Sequence, residues 1–222
     1  MNAPSTSAPW AHVPVVPVIV LDEVTDAVPL ARALLEGGVD VIEVTLRTAA
    51  ALDAIRVLRA EAPQLVIGAG TVLTPRDTDA AVSAGAQFLV SPGSVPGMRQ
   101  AFLDSGLPAL PGAATISEAM ALSDAGFDCL KLFPAAQIGG LGFVQALASV
   151  LPRLLVCPTG GLDPSAAQAL LAEPTVACVG GSWIAPRADI RDGRWDQIAR
   201  RARESHGLRQ TPTALTDAQP AR

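Results

Sequence analysis

The sequence of 222 residues contains no tyrosine, only two histidines and a single lysine. The histidines are His12, in a Pro- and Ser-rich N-terminal stretch, and His206, in a polar C-terminal stretch. Neither lies where a catalytic side chain carried by a core strand would be expected. Any proton transfer must therefore rely on a carboxylate, a cysteine, water or Lys131, because the other 15 basic residues are arginines.

Charge is also scarce: charged residues make up 17% of the chain, against about 25% in an average globular protein. The 16 Lys and Arg residues are outnumbered by 21 Asp and Glu residues, which gives a net charge of −5. No basic cluster follows a predicted helix face, so we expect no nucleic-acid partner. The hydrophobic share of 50% predicts a packed core and excludes disorder over most of the chain.

Long apolar runs are absent. The longest run, residues 13–21, contains two prolines and is far shorter than the ~18 residues that a membrane-spanning helix needs. The first basic residue is Arg32, so the positive region that opens a secretory signal is missing. We therefore expect no membrane partner and a cytoplasmic location.

The cysteines are few and odd in number. Cys129, Cys157 and Cys178 each lie in an apolar stretch, without a CxxC motif or paired histidines nearby. This pattern favours reduced core cysteines over a disulfide or a metal site.

Short apolar runs recur at starts 20 to 26 residues apart, with Ala- and Leu-rich segments of helical periodicity between them. The runs are residues 13–20, 39–46, 64–68, 87–90, 107–110, 128–133, 154–157 and 175–179. They are continuously apolar, as parallel strands covered on both faces are. The pattern predicts an α/β fold, a single (β/α)₈ TIM barrel. A doubly wound open sheet is the alternative, but its GxGxxG signature does not follow the first strand.

Residues 1–11 and 205–222 are rich in Ser, Thr, Pro, Ala and Gln, and predict an N-terminal and a polar C-terminal tail. No comparable linker divides residues 12–204, which we expect to form one catalytic barrel domain. Several predicted helices end in glycine directly before the next strand, which is typical of a left-handed helix cap. These glycines are Gly37, Gly38, Gly85, Gly106 and Gly126.

Lys131 lies in the sixth predicted strand, on the same face as Cys129 and Phe133. Two interpretations are open. Its stem could pack in the wall while the ammonium reaches solvent, or a desolvated amine could attack a carbonyl carbon. The second is favoured because the chain otherwise uses arginine, which cannot lose its proton.

Two further polar residues belong to the second predicted strand. Glu43 is flanked by apolar residues, and could be an ion-pair partner of Arg47 or Lys131, a general acid and base, or both. Arg47, at the strand end, could cap a helix or bind a substrate carboxylate through two hydrogen bonds.

Glycine-containing turns are predicted after the third, seventh and eighth strands, at residues 68–71, 159–161 and 180–182. The turns after strands seven and eight indicate a phosphate site, because the loops at these two places form the recurrent phosphate site of such barrels. Asp163 and Ser182 could also be N-cap residues of the helices that follow.

Six motifs occur in order: EVTLRT at 43–48, GAGTV at 68–72, SPG at 91–93, KLFPA at 131–135, CPTGG at 157–161 and GGSW at 180–183. From about Val13 to about Glu204 this series resembles the 2-keto-3-deoxy-6-phosphogluconate (KDPG) aldolase and 4-hydroxy-2-oxoglutarate (KHG) aldolase family. The resemblance implies a metal-free class I aldolase without a cofactor, usually a homotrimer. It would cleave KDPG, a phosphorylated keto-deoxy sugar acid, to pyruvate and glyceraldehyde 3-phosphate, and often KHG to pyruvate and glyoxylate.

The same resemblance implies roles for individual residues. Lys131 would form the Schiff base and Glu43 would move protons through water. The other implied residues would contact the substrate. Arg47 and Thr71 would bind its carboxylate, and Pro92, Phe133 and Thr159 would line the pocket. The phosphate would be bound by Gly160, Gly161, Gly180, Gly181 and Ser182. One departure is Ala136, where many relatives carry Glu, and it leaves the carbonyl chemistry untouched.

Other functions stay open at this point. Related phosphogalactonate aldolases typically lack the counterparts of Arg47 and Thr159, so these two residues favour the gluconate-derived substrate. An isomerase or synthase barrel could bind a phosphosugar with the same loops and form no imine, and a non-catalytic sensor could bind one without turnover. A metal-dependent aldolase is disfavoured by the lack of a core histidine.

Overall fold

The computed structural model describes residues 8–209. Residues 1–7 and 210–222 of the two predicted tails lie outside this range, so the domain boundaries stay a prediction. The strands of the described part are β1 (Val15–Ile19), β2 (Val41–Thr45), β3 (Val66–Gly70), β4 (Phe88–Val90), β5 (Ala109–Leu110), β6 (Gly112–Ala113), β7 (Cys129–Leu132), β8 (Leu155–Pro158) and β9 (Val179–Gly181).

Helices alternate with these strands along the chain. They are α1 (Ala27–Glu36), α2 (Ala51–Glu61), α3 (Pro75–Ala84), α4 (Pro96–Ser105), α5 (Ile116–Asp124), α6 (Gly140–Val150), α7 (Pro164–Leu171), α8 (Arg187–Arg191) and α9 (Trp195–His206), with a 3₁₀ turn at Val24–Asp26. Within residues 8–209, no helix combines the length and the apolar character that a membrane crossing requires.

The strands form one closed parallel barrel. Hydrogen bonding orders them β5-β4-β3-β2-β1-β9 and β6-β7-β8. β5 and β6 are two halves of one strand that is interrupted at Pro111, whose ring nitrogen cannot donate to the ladder. Isolated bridges from Val156 of β8 to Val176, and from Thr159 to Gly180 of β9, join the last two strands of the wall. The predicted (β/α)₈ barrel is therefore confirmed.

The two faces of the wall carry separate apolar clusters. Leu130 and Leu132 of β7 pack toward the helices, whereas Cys129 belongs to an interior cluster that also contains the other two cysteines. At the amino-terminal end of the barrel, Trp10 is 3% exposed and meets the Phe88 ring edge-on, with the centroids 5.5 Å apart. All three cysteines are free and buried, as predicted.

The ends of several helices also follow the prediction. Gly38, Gly85, Gly106 and Gly126 have positive φ angles between 67° and 97°, so each supplies the left-handed turn that ends a helix. Asp163 caps α7 by accepting a hydrogen bond of 2.8 Å from the Ala166 N–H.

The prediction that Ser182 caps a helix is wrong. Helix α8 begins only at Arg187, and residues 182–186 form a loop before it. Ile184 and Ala185 of this loop are buried, and their packing delays the start of the helix.

The eighth strand also lies later than predicted, at Val179–Gly181 instead of residues 175–179. Gly68 and Gly70 lie within β3, and Gly180 and Gly181 within β9, so these glycines belong to strands and not to turns. The physical reason is close packing inside the barrel: a Cβ on Gly68, for example, would overlap the Phe88 ring.

Candidate active site

Lys131 and Glu43 meet inside the barrel. Lys131 Nζ lies 3.1 Å from Glu43 Oε1 and 3.3 Å from Oε2, and the two residues are 4% and 3% exposed. Strands β7 and β2 lie on opposite sides of the eight-stranded wall, so the ion pair spans the barrel interior. The Lys131 ammonium therefore ends on a carboxylate and not in bulk water.

Glycine makes room for this pair. A Cβ on Gly70, the last residue of β3, would overlap the carboxylate and Cγ of Glu43. Gly70 has no positive φ, so its strand conformation suits any residue and the space alone requires glycine. Gly112 of β6 pairs in register with Lys131 and likewise has no room for a Cβ, because the Pro92 backbone lies against it.

Replacing Gly70 by alanine is expected to displace the Glu43 carboxylate and to lower both activity and stability. Overpacking of a filled interior typically costs about 1–3 kcal/mol of unfolding free energy. Thermal unfolding and steady-state turnover would measure the two effects. The matched control is Gly142→Ala in α6, where an added Cβ meets nothing within 4 Å. Wild-type activity in the Gly70→Ala variant would contradict this role of the glycine.

A second pair lies at the carboxyl ends of β2 and β3. Arg47 Nε donates a hydrogen bond of 3.1 Å to Thr71 Oγ1. Thr71 has a φ of +56°, the only positive value of a non-glycine residue within residues 8–209. Such a conformation costs free energy for a β-branched residue and is concentrated at functional sites. The structure thus brings together the two residues predicted to hold a substrate carboxylate.

Two of the predicted pocket residues, Phe133 and Thr159, lie across the mouth of the barrel, which is the end formed by the carboxyl termini of the strands. Thr159 is 5% exposed, and its hydroxyl donates to the Cys157 carbonyl at 3.3 Å. A Cβ on Gly180 would overlap the Thr159 side chain, so the glycine lets β8 and β9 approach. A Cβ on Gly160 would lie 3.0 Å from Cε2 of Phe133, whose ring centroid is 5.6 Å from Lys131 Nζ.

The predicted phosphate residues divide between two neighbouring segments. Gly160 and Gly161 follow β8 with φ angles of +100° and +71°, which side chains rarely adopt. Gly180 and Gly181 end β9 and are buried, and Ser182 after them is exposed. The Thr159–Gly180 bridge holds the two segments side by side at the carboxyl end of the barrel.

Pro92 is half-buried and follows β4 at the same end of the barrel. Its neighbour Ser91 is fully buried, and the Ser91 hydroxyl accepts a hydrogen bond of 3.3 Å from the Gly112 N–H. This contact fixes the loop after β4 against the interrupted strand, and Pro92 contributes an apolar surface to the mouth.

Cys157 is an interior residue that the sequence did not single out for a role. It pairs in register with Lys131 on the neighbouring strand. The neighbouring Cys178 thiol and, to a smaller extent, the positive charge of Lys131 lower the pKa of the Cys157 thiol, against the opposing effect of burial. The neighbouring Cys157 thiol, together with burial, raises the pKa of the Cys178 thiol well above its ordinary value.

Other side chains that the sequence did not reveal hold the mouth in shape. Thr45 donates a hydrogen bond of 2.8 Å to the Ile19 carbonyl at the end of β1. Arg187 Nε, 2.7 Å from Asp22 Oδ2, ties the loop after β1 to the start of α8. Hydrogen bonding to Arg187 lowers the pKa of Asp22. A separation of 165 residues leaves no local pattern that could predict this pair.

Comparisons with known proteins point to one family. The family model "KDPG and KHG aldolase" matches residues 8–201. The KHG/KDPG aldolase of Escherichia coli K12 is 44% identical over 192 residues, covering 86% of this chain and 90% of the relative. The 2-dehydro-3-deoxy-phosphogluconate aldolase of Pseudomonas aeruginosa is 45% identical over 191 residues, covering 86% and 87%.

A solved structure is similar as well. The KDPG aldolase of Legionella pneumophila, with pyruvate captured as a covalent carbinolamine intermediate, has a TM-score of 0.87 and 43% identity, covering 89% of this chain and 96% of that one. The extent of the sequence match, together with the shared fold, identifies the family: the chain belongs to the KDPG and KHG aldolases.

Proposed function

We propose that the protein is a class I aldolase that cleaves KDPG to pyruvate and glyceraldehyde 3-phosphate, with Lys131 as the Schiff-base lysine. The observation that carries this proposal is the buried contact between Lys131 Nζ and the Glu43 carboxylate, 3.1 Å apart inside the barrel. A carboxylate at this distance can take the proton that the amine must lose before it attacks a carbonyl.

The chemistry follows from the carbon–carbon bond. The Lys131 amine adds to the C2 keto carbon to form a carbinolamine, and loss of water gives an iminium. Removal of the proton from the C4 hydroxyl breaks the C3–C4 bond, releases the aldehyde and leaves its electron pair as an enamine on Lys131. Protonation at C3 and hydrolysis of the imine then release pyruvate. Glu43 serves as the acid and base in these steps, and none of them uses a metal or another cofactor.

The arrangement of the mouth supports binding of a molecule with an anionic group at each end. Arg47 and Thr71 hold the carboxylate near β2 and β3, while Pro92, Phe133 and Thr159 line the pocket around the keto carbon. The phosphate binds to Ser182 and to backbone N–H groups near β8 and β9. The residues of this phosphate site are Gly160, Gly161, Gly180, Gly181 and Ser182.

A coupled assay tests the proposal. Pyruvate released from KDPG, from its galactose-derived epimer and from KHG is reduced by lactate dehydrogenase, and NADH loss is recorded. We expect a higher kcat/KM with KDPG than with its galactose-derived epimer, because Arg47 and Thr159 favour the gluconate-derived substrate, and a lower kcat/KM with KHG, which has no phosphate to bind. Saturable binding of KDPG without pyruvate would instead indicate a sensor or an isomerase, and would overturn the proposal.

The quaternary state and location are also proposals. We infer a homotrimer in the cytoplasm from the resemblance to this family, whose members are usually trimers. Light scattering should then give a mass near three times the chain mass of 22.7 kDa.

A further inference from the structure

One exposed side chain at the mouth was not assigned a role by any of the preceding arguments. Gln137 lies in the loop between β7 and α6, at the end of the barrel where Lys131 and Phe133 are found. Its carboxamide carries two N–H donors and one oxygen acceptor.

The backbone fixes this loop against the predicted phosphate segment. The N–H of Ala135 donates to the Thr159 carbonyl at 2.8 Å, and the N–H of Ala136 donates to the Gly160 carbonyl at 3.1 Å. These bonds continue the pairing of β7 with β8 beyond the strands. The position of Gln137 relative to Gly160 and Gly161 is therefore set by hydrogen bonds on the residues just before it.

The side chain of Gln137 also lies on that segment. A Cβ added to Gly161 would be 3.1 Å from Gln137 Nε2 and 3.3 Å from Oε1. The carboxamide thus occupies the space beside Gly161 that a side chain would otherwise take. Ala136, whose methyl group lies against the same glycine, adds no charge there.

From these contacts we infer that Gln137 donates a hydrogen bond to the substrate phosphate and determines the preference for a phosphorylated substrate over a shorter, unphosphorylated one. This inference rests on the proposed function. A phosphate held by the N–H groups of Gly160 and Gly161 lies next to the carboxamide. The predicted phosphate residues are four glycines and one serine, none of which carries a positive charge, so the Gln137 carboxamide adds a neutral donor to them.

The Gln137→Ala variant tests the inference. We expect its KM for KDPG to rise about 12- to 30-fold at unchanged kcat, the lower part of the range for a hydrogen bond to a charged group, because the exposed carboxamide exchanges this bond with water. The inhibition constant of inorganic phosphate against KDPG cleavage should rise in the same proportion. KHG carries no phosphate, so its kcat and KM should stay unchanged, as should borohydride trapping of pyruvate.

Two further variants sharpen the test. Gln137→Glu keeps the size of the side chain but replaces the donors with a negative charge, so the KM for KDPG should rise more and fall again as salt screens the repulsion. The matched control, Gln168→Ala, removes an exposed glutamine from α7 and should leave all constants unchanged.

The outcomes separate the inference from the proposed function. An unchanged KM for KDPG in Gln137→Ala, or an equal rise with KDPG and KHG, would overturn the role of Gln137 while the unmodified protein still cleaves KDPG. If the unmodified protein cleaves neither substrate, the proposed function fails, and the inference fails with it.

Discussion

Replacing Lys131 with methionine is expected to reduce KDPG cleavage by about 10⁴-fold or more, because the chain has no other lysine that could form the Schiff base. Lys131→Arg should be as inactive, since arginine keeps the positive charge but cannot lose its proton. Treatment of the unmodified protein with borohydride and pyruvate should add one reduced pyruvate to Lys131, which peptide mass spectrometry would locate.

The stability of these variants provides the control. Lys131→Met leaves the Glu43 carboxylate buried without its partner, which typically costs about 3–5 kcal/mol of unfolding free energy. The double variant Lys131→Met/Glu43→Gln removes both charges and should recover much of that loss while staying inactive. An adduct located elsewhere, or normal activity in Lys131→Arg, would rule out the assignment.

Replacing Glu43 with glutamine should lower kcat by about 10²- to 10⁴-fold, the usual contribution of a general acid and base. The glutamine keeps the shape of the side chain and still offers an oxygen to Lys131 Nζ, so the fold should be retained. A second measurement is the exchange of pyruvate methyl protons with D₂O, followed by NMR. This exchange requires protonation of the enamine, so it reports on the proton transfer separately from kcat.

The exposed Glu61→Gln variant, at the end of α2, provides the matched control and should exchange at the normal rate. A Glu43→Gln variant that exchanges pyruvate protons as fast as the unmodified protein would show that another group transfers the proton.

Much of the barrel could be predicted from the sequence because each strand is an apolar run of its own, separated from the next by one helical segment. Side chains alternate between the two faces of a strand, and this period predicted Lys131 and Cys129 on one face of β7. In the structure both side chains lie in the barrel interior. Glycine caps such as Gly85 were also predictable, because the left-handed conformation is a local property of the chain.

What the sequence could not settle depends on distant contacts. Gly70 and Gly180 were predicted in turns, since glycine usually marks them, but both lie in strands because Glu43 and Thr159 leave no space for a Cβ. For Glu43, the sequence left two ion-pair partners open, namely Arg47 and Lys131. The structure pairs Glu43 with Lys131, while Arg47 donates a hydrogen bond to Thr71. Which of two such partners a side chain meets depends on how the strands close into a barrel, and a single strand's sequence does not contain that information.

The wall is unevenly joined around its circumference. β2 and β3 pair continuously from Val41 to Thr45, whereas β8 and β9 are linked by two isolated bridges. Hydrogen-bonded ladders that are short and interrupted open at lower free energy than continuous ones. We therefore expect backbone amides at the β8–β9 joint to exchange with solvent faster than those between β2 and β3 in a hydrogen-exchange experiment.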